Sequence, residues 1–349
     1  MSDIVTAVGT PNIALIKYWG KRDEKLILPT NSSVSMTLDE QLNTKTSVLF
    51  SNRLKEDRVY INGELQNTRG TEVGERLVCL DILRRIAKDK RHALVVSENS
   101  FPTGSGFASS ASGLATLVYA ASKGLGLRLS GKEMSIVARR GSGSACRSLM
   151  GGMVRWRKGV KADGSDSYAE QITKPDHWPE LMNVVGILSA SKKKFSSRAG
   201  MRQTERTSIL YRSRMAYVED AASRLTAALK KRDFQTLGEI TMRDSNNMHS
   251  VMLDTWPPLF YMNDNSKEVI YKVHELNESE GKIIAAYTFD AGPNPHILTL
   301  RRNVNKVTRL LDEVDAVQKV LKLSMGNGPR ILDRSESLID ERSLKPFKN

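Results

Sequence analysis

Apolar positions along the chain follow two periods, one near two residues and one near 3.6, and the switching between them sets the expected elements. Leu114, Leu117, Val118, Ala121 and Leu125 share one helical face and predict a helix. Just upstream, residues 92–98 form a short valine- and leucine-rich run that predicts a strand. Further strands are predicted at 4–8, 44–50 and 57–61, the last turning at Asn62-Gly63, a strong hairpin signal. A helix is predicted over about 72–88. Ser130-x-x-Glu133 is a capping box opening a helix that carries Met134, Ile136, Val137 and Ala138 and stops at Gly141-Ser142-Gly143-Ser144, read as a loop. Past the Pro- and Trp-rich stretch 174–179 the pattern changes to a strand at 183–190, helices at roughly 206–230 and 234–244, a helix near 266–278 and a strand over 282–289. Strands and helices mix in both halves without a regular βαβ repeat, which predicts an α+β fold.

Composition adds bounds. The 349 residues, 40% hydrophobic and 26% charged, are ordinary for a globular protein with room for two domains. Two cysteines, Cys79 and Cys146, cannot build a disulfide framework and lack metal-ligand spacing, which fits a reducing compartment. His92, His177, His249, His274 and His296 are scattered, which argues against a transition-metal site. With no opening secretory signal and no apolar run of bilayer length, the expectation is a cytoplasmic protein with no membrane partner. A net charge of +14 invites nucleic acid, yet the basic clusters, among them Arg84-Arg85, Lys192-Lys193-Lys194 and Arg301-Arg302, are spread along the chain. Aromatics are only 6% and no nucleic-acid motif accompanies the charge, so no nucleic-acid partner is expected.

Four stretches carry candidate chemistry. Between the 92–98 strand and the Leu114 helix lies Pro102-Thr103-Gly104-Ser105-Gly106-Phe107-Ala108-Ser109-Ser110-Ala111. Small residues let backbone amides approach a polyphosphate, and the helix that follows aims its positive end at the same place. The stretch has neither the Walker lysine nor the G-x-G-x-x-G spacing, and a flexible linker is the plainer alternative. Residues 12–23 group Lys17, Lys21 and Arg22 with Tyr18 and Trp19 at an expected turn, either a diphosphate or carboxylate holder or an exposed basic turn. Gly141 to Ser148 places hydroxyls and amides around Arg147, a clamp for a carboxylate or a loop with a surface arginine. Asp290, at the end of a buried strand, could orient or deprotonate a substrate hydroxyl, or form an Asx turn with Gly292 to Asn294.

Together these residues resemble the diphosphomevalonate decarboxylases of the GHMP kinase superfamily. Asn12-Ile-Ala-Leu-Ile-Lys17-Tyr-Trp-Gly-Lys21-Arg-Asp23 with Leu28-Pro-Thr-Asn-Ser-Ser33, the 102–111 loop, Gly141-Ser-Gly-Ser-Ala-Cys-Arg147-Ser148 and Tyr287-Thr-Phe-Asp290-Ala-Gly-Pro-Asn294 carry the resemblance. Asp244-Ser-Asn-Asn-Met-His249 and Pro258-Leu-Phe-Tyr-Met-Asn263 extend it over nearly the whole chain. It implies a two-domain GHMP kinase-like fold, with a ribosomal-protein-like βαβ domain over 1–180, a ferredoxin-like α/β sandwich over 181–349, and the active-site cleft between them. It also implies ATP-dependent decarboxylation of (R)-5-diphosphomevalonate to isopentenyl diphosphate, in the mevalonate route to isoprenoids and sterols, with ATP and Mg as cofactors and a homodimeric assembly.

The resemblance assigns Asp290, Lys17, Arg147 and Ser110 to catalysis, and Tyr18, Lys21, Ser142, Ser144, Ser197 and again Arg147 to the substrate. Ser97, Asn99, Pro102, Gly104, Ser105, Gly106, Ala108, Ser109 and Ser110 fall to the nucleotide, with Ser110 also the candidate metal ligand. Position 107 is Phe where the superfamily's kinases commonly carry Leu, and their C-terminal glycine-rich motif is replaced by residues 285–294. Two rivals stay open at this level: a kinase that phosphorylates a mevalonate-like hydroxyl and stops, and a basic nucleic-acid-binding protein without catalysis.

Overall fold

The computed structural model describes residues 4–100, 109–188 and 196–347, and at 109 and 110 the backbone alone. Among the described residues, three sheets of four or more strands and nine α-helices build a mixed α+β architecture.

The first sheet runs Arg330–Ile331, Val5–Gly9, Thr44–Ser51, His92–Asn99, Arg58–Ile61, Glu64–Leu65. Along His92–Asn99, Ala93 and Val95 pack with Leu80, Leu83, Leu114 and Val118, while Leu94 and Val96 pack with Leu49, Ile339 and Leu344. A strand covered on both faces reads as an unbroken apolar run, which is how 92–98 reads in the sequence. The predicted hairpin is present, with Asn62 and Gly63 at φ 50 and 82, the left-handed values a two-residue turn needs.

The helix expected over 72–88 is two helices, α1 Glu72–Arg76 and α2 Val78–Ala87. Leu77 between them donates its amide to the Gly74 carbonyl, a tight i to i+3 turn that ends α1. Helix α3, Ser109–Gly124, follows the glycine and serine loop, and α4 is Gly131–Gly141. The capping box of α4 is formed, with Ser130 Oγ accepting from the Glu133 amide at 3.2 Å and the Glu133 carboxylate accepting from the Ser130 amide at 2.8 Å. The small-residue stretch beyond it is a 3-10 turn, Gly143–Leu149, and not an irregular loop.

The second sheet runs Ala169–Thr173, Met153–Trp156, Ser33–Thr37, Asn12–Ile16. The expectation of a turn over 12–23 is corrected here, because Asn12–Ile16 is a fully buried strand. Lys17 and Lys21 are only 1% and 7% exposed, so the reading of an exposed basic turn falls.

The third sheet runs Ala285–Thr288, His296–Leu300, Leu181–Leu188, Val317–Leu323. The strand expected at 282–289 narrows to Ala285–Thr288, and the one expected at 183–190 begins at Leu181. The single helix expected over 206–230 is α5 Ser197–Thr207 followed by α6 Tyr211–Lys231. The Asp254 carboxylate holds the break between them by accepting from the Ser208 hydroxyl at 2.7 Å and the Leu210 amide at 2.8 Å. Helix α7 continues past 244 as Phe234–Leu253; α8 is Asp264–Ser279 and α9 is Val304–Asp312. The largest core joins Ile13, Leu15, Val34 and Met36 of the second sheet to Val218 and Leu225 of α6, Leu237 of α7, and Val184, Tyr287 and Leu298 of the third. The Asn12–Ile16 and Ala285–Thr288 strands therefore end close together at this seam, and each delivers its next residues to the same place.

Candidate active site

Lys17 follows the first of these strands directly and Asp290 lies two residues past the second. Lys17 Nζ donates to Asp290 Oδ1 at 2.7 Å. The lysine side chain is 2% exposed and the aspartate side chain 31%, so the pair meets solvent through its acidic end. Burial drives the Lys17 ammonium down, opposed by the charges of Asp290 and Asp244. Burial would raise Asp290, yet the Lys17 charge and hydrogen bond, with His296 and Arg147 behind them, hold its carboxyl below the usual carboxylate range. Asp290 is thus an ionised acceptor at neutral pH.

Arg147 sits on the 3-10 turn against the second sheet. Its Nε donates to Asn12 Oδ1 at 3.2 Å and its Nη1 to Ser33 Oγ at 2.7 Å. It is 3% exposed, burial lowers its pKa, and no carboxylate pairs with it among the described residues. A buried guanidinium held only by neutral groups, with donors to spare, is an anion site.

Lys17, Tyr18, Lys21, Ser142, Ser144, Arg147, Ser197 and Asp290 all line one cavity of about 350 Å³. The Tyr18 hydroxyl is buried without a hydrogen-bond partner among the described residues, and burial raises its pKa. Its ring meets Trp156 edge-on at 4.7 Å between centroids. Gly143 lies against both rings, where a Cβ would come within 2.7 Å of Tyr18 and 2.8 Å of Trp156. Only glycine permits that approach. Lys21 Nζ donates to Glu24 at 2.6 Å and its amide donates to the Glu205 carboxylate. The Ser142 and Ser144 hydroxyls are 3.3 Å apart, and Ser197 opens α5.

The same cavity holds residues that sequence reasoning missed. Arg198 donates to the Gly141 carbonyl at 2.7 Å and to Glu75 at 3.2 Å, and Arg76 pairs with Glu72 at 2.6 Å. These cations come from α5 and α1, far apart in sequence, and no local motif marks them. Asn12 and Asp244 lay inside stretches already singled out, without a role.

A second cavity, of about 580 Å³, shares Glu72 and Arg76 with the first and is lined by Thr46, Ser97, Asn99 and Leu114 among others. Thr44 Oγ1 donates to Asn99 Oδ1 at 2.8 Å and lies 2.7 Å from the Ser112 hydroxyl, which ties the His92–Asn99 strand to the first turn of α3. Ser97 Oγ is 2.9 Å from Thr46 Oγ1. Pro102, Gly104, Ser105, Gly106 and Ala108 lie outside the described residues, as do the side chains of Ser109 and Ser110. Among the described residues no three His, Cys, Asp or Glu side chains group as metal ligands, and no helix is long and apolar enough to cross a membrane. Cys79 and Cys146 are free and buried, which pushes both thiols up to about 12.

Comparison with known proteins decides which family built this cavity. The model of the diphosphomevalonate decarboxylase-like N-terminal domain matches residues 9–169, and that of the mevalonate 5-diphosphate decarboxylase C-terminal domain matches residues 183–342. The diphosphomevalonate decarboxylase of Debaryomyces hansenii is 40% identical, covering 97% of both chains. The chain belongs to the diphosphomevalonate decarboxylase family. The human family member is 44% identical over 85% of this chain and 77% of its own. A mevalonate 5-diphosphate decarboxylase crystal structure superposes with a TM-score of 0.89 at 36% identity over 97% of this chain and 99% of that one. The family's structure determined with MVAPP, AMPPCP and magnesium gives 0.85 at 38% identity over 95% of this chain and all of its own.

Proposed function

We propose that this family member converts ATP and (R)-5-diphosphomevalonate into isopentenyl diphosphate, ADP, phosphate and carbon dioxide, with Lys17, Asp290 and Arg147 around the reacting centre. The observation that carries the assignment is one cavity holding an ionised aspartate on a buried lysine together with a buried arginine that has no carboxylate partner among the described residues. The substrate's tertiary 3-hydroxyl takes the γ-phosphoryl group of ATP, phosphate then leaves, and the carboxylate collapses to carbon dioxide and an alkene.

Each residue's environment suits one of those demands. Asp290, ionised and open to the cavity, accepts the hydroxyl's hydrogen bond and proton, and its charge favours the positive carbon left by departing phosphate. Arg147, short of an anion, holds the substrate carboxylate in line for loss. Lys17 holds Asp290 ionised and offers positive charge to the transferring group. The Tyr18 hydroxyl, without a partner among the described residues, and Lys21, Ser142, Ser144 and Ser197 hold the diphosphate end, with Arg198 and Arg76 adding charge from the same cavity wall. Placement and charge supply most of the acceleration in phosphoryl transfer, so a rigid constellation is what the fold must provide.

The second cavity, beside α3, takes the nucleotide, with Ser97 and Asn99 on its wall and the 102–110 stretch cradling the phosphates. The Ser110 hydroxyl would be the protein ligand of a magnesium ion there. The ion supplies neutralisation of phosphate charge when bound. Magnesium and AMPPCP in the family structure above support this use. A division at 180 is supported by the two family models, which end and begin on either side of it, while Arg330–Ile331, Ile339 and Leu344 return to the first sheet, so the last residues of the chain pack with the N-terminal unit. A homodimer in the cytoplasm completes the proposal.

The test is to incubate the protein with Mg-ATP and carboxyl-labelled diphosphomevalonate while following ADP, phosphate and labelled carbon dioxide together. Equal yields are expected. ADP without phosphate or carbon dioxide would assign a kinase instead.

A further inference from the structure

We propose that Asp244 and Ser245, neighbours on α7, are positioning residues that set both members of the Lys17–Asp290 pair from a single helical step. This rests on the reading of Lys17 and Asp290 given above. Lys17 and Phe289 each stand one residue beyond their strands, where ladder partners end and a backbone amide needs another acceptor. Helix α7 supplies both. Asp244 Oδ2 accepts from the Lys17 amide at 2.7 Å, and Ser245 Oγ accepts from the Phe289 amide at 3.0 Å, next to Asp290.

The carboxylate is itself fixed. Arg214 of α6 donates through Nη1 to Asp244 Oδ1 at 2.9 Å and through Nη2 to the Lys17 carbonyl at 3.0 Å, while Asn31 Nδ2 donates to that carbonyl at 2.9 Å. Arg214 and Asp244 are fully buried, and Ser245 is 1% exposed. Lys17 is thereby held at its amide and its carbonyl, and Asp290 through its neighbour, so a slip of α7 would move both ends of the 2.7 Å contact.

Asp244 acts on Lys17 through charge as well. The groups facing the ammonium are Asp290, Asp244 and His249 of α7, Arg147 of the 3-10 turn and His296 of His296–Leu300, with Arg214 on the Lys17 carbonyl. Of these Asp290 and Asp244 favour its charged form.

Two variants test the proposal, with Asp290→Asn assayed alongside. Ser245→Ala is expected to lower kcat by about tenfold with both KM values held within about twofold, since placement and not binding is lost. Asp244→Asn alone leaves a carboxamide oxygen to accept from the Lys17 amide and removes the charge. Removing an anion that favours protonated Lys17, with Arg214 left unopposed, lowers the lysine's pKa, so the basic limb of the kcat profile should move toward lower pH by about half a unit or more. A purely structural role would lower the melting temperature and leave that limb unmoved. Wild-type kcat in Ser245→Ala together with an unmoved limb in Asp244→Asn would overturn the proposal, as would losses that only track the folded fraction. If Asp244→Asn does not fold, kcat and KM of Ser245→Ala decide alone. Retained turnover in Asp290→Asn would instead overturn the site reading.

Discussion

Two ion pairs meet at Lys17, one on its peptide groups and one through its side chain, and they are built to opposite ends. Arg214 and Asp244 are both 0% exposed; the Asp244 oxygens and the Arg214 Nη groups bond to each other, to Asn247 and to the Lys17 peptide groups, and Arg214 Nε has no partner among the described residues. Lys17 and Asp290 share a single 2.7 Å contact, and the aspartate keeps 31% of its side chain exposed. A fully buried pair of this kind acts on the site through the backbone it holds and the charge it carries, because a substrate that entered would have to displace a partner at the full desolvation cost. A pair open on its acidic side keeps lone pairs free for a substrate hydroxyl. Arg147 makes a third case, a buried cation bonded to Asn12 and Ser33 with no carboxylate partner among the described residues, which costs stability until an anion arrives.

The comparison breaks most sharply at Asp290. Asp290→Asn should lower turnover on the order of 10³-fold while ATP affinity, read by calorimetry, stays within a few fold. Arg214→Met, by contrast, strands the Asp244 charge and should cost about 3–5 kcal/mol in denaturant unfolding. Arg147→Gln should do the reverse of Arg214→Met, lowering carbon dioxide release by about 10²-fold with stability kept or raised. Tyr18→Phe removes a hydroxyl with no partner among the described residues, so the melt should not move, while KM for diphosphomevalonate rises by about tenfold. The smallest effect is the acid limb. Asp290 sits below the usual carboxylate range, so it stays ionised as pH falls, and kcat should hold from pH 7 to about 5. A decline centred above that value would place the proton on a different group.

The reactive region was more legible in the sequence than the supporting one. Lys17, Arg147 and Asp290 sit in short motifs whose residue types announce charge beside small residues, and the structure gathers them with five others around one cavity. The Arg214–Asp244 clamp spans 30 residues between its partners and 227 from Asp244 to Lys17, and no periodicity encodes contacts of that kind. Arg76 and Arg198 read as ordinary charges on helix surfaces until the fold turns them inward. Element boundaries failed where distant contacts or a weak pattern set them. The 206–230 pattern is helical on both sides of a break that is held from outside by Asp254. Val317–Leu323 sets exposed Gln318, Lys319 and Lys322 among mostly half-buried apolar residues at a sheet edge, without clean alternation, and neither it nor His296–Leu300 nor α9 was anticipated.

The most direct test of the central contrast is a double-mutant cycle on Lys17→Met and Asp290→Asn, read in kcat and in unfolding free energy. If the pair works as one reactive unit, each single variant loses nearly as much turnover as the double, and the double melts close to wild type. Losses in kcat that multiply, or a double variant that fails to fold while turnover per folded molecule persists, would show the pair to be structural after all.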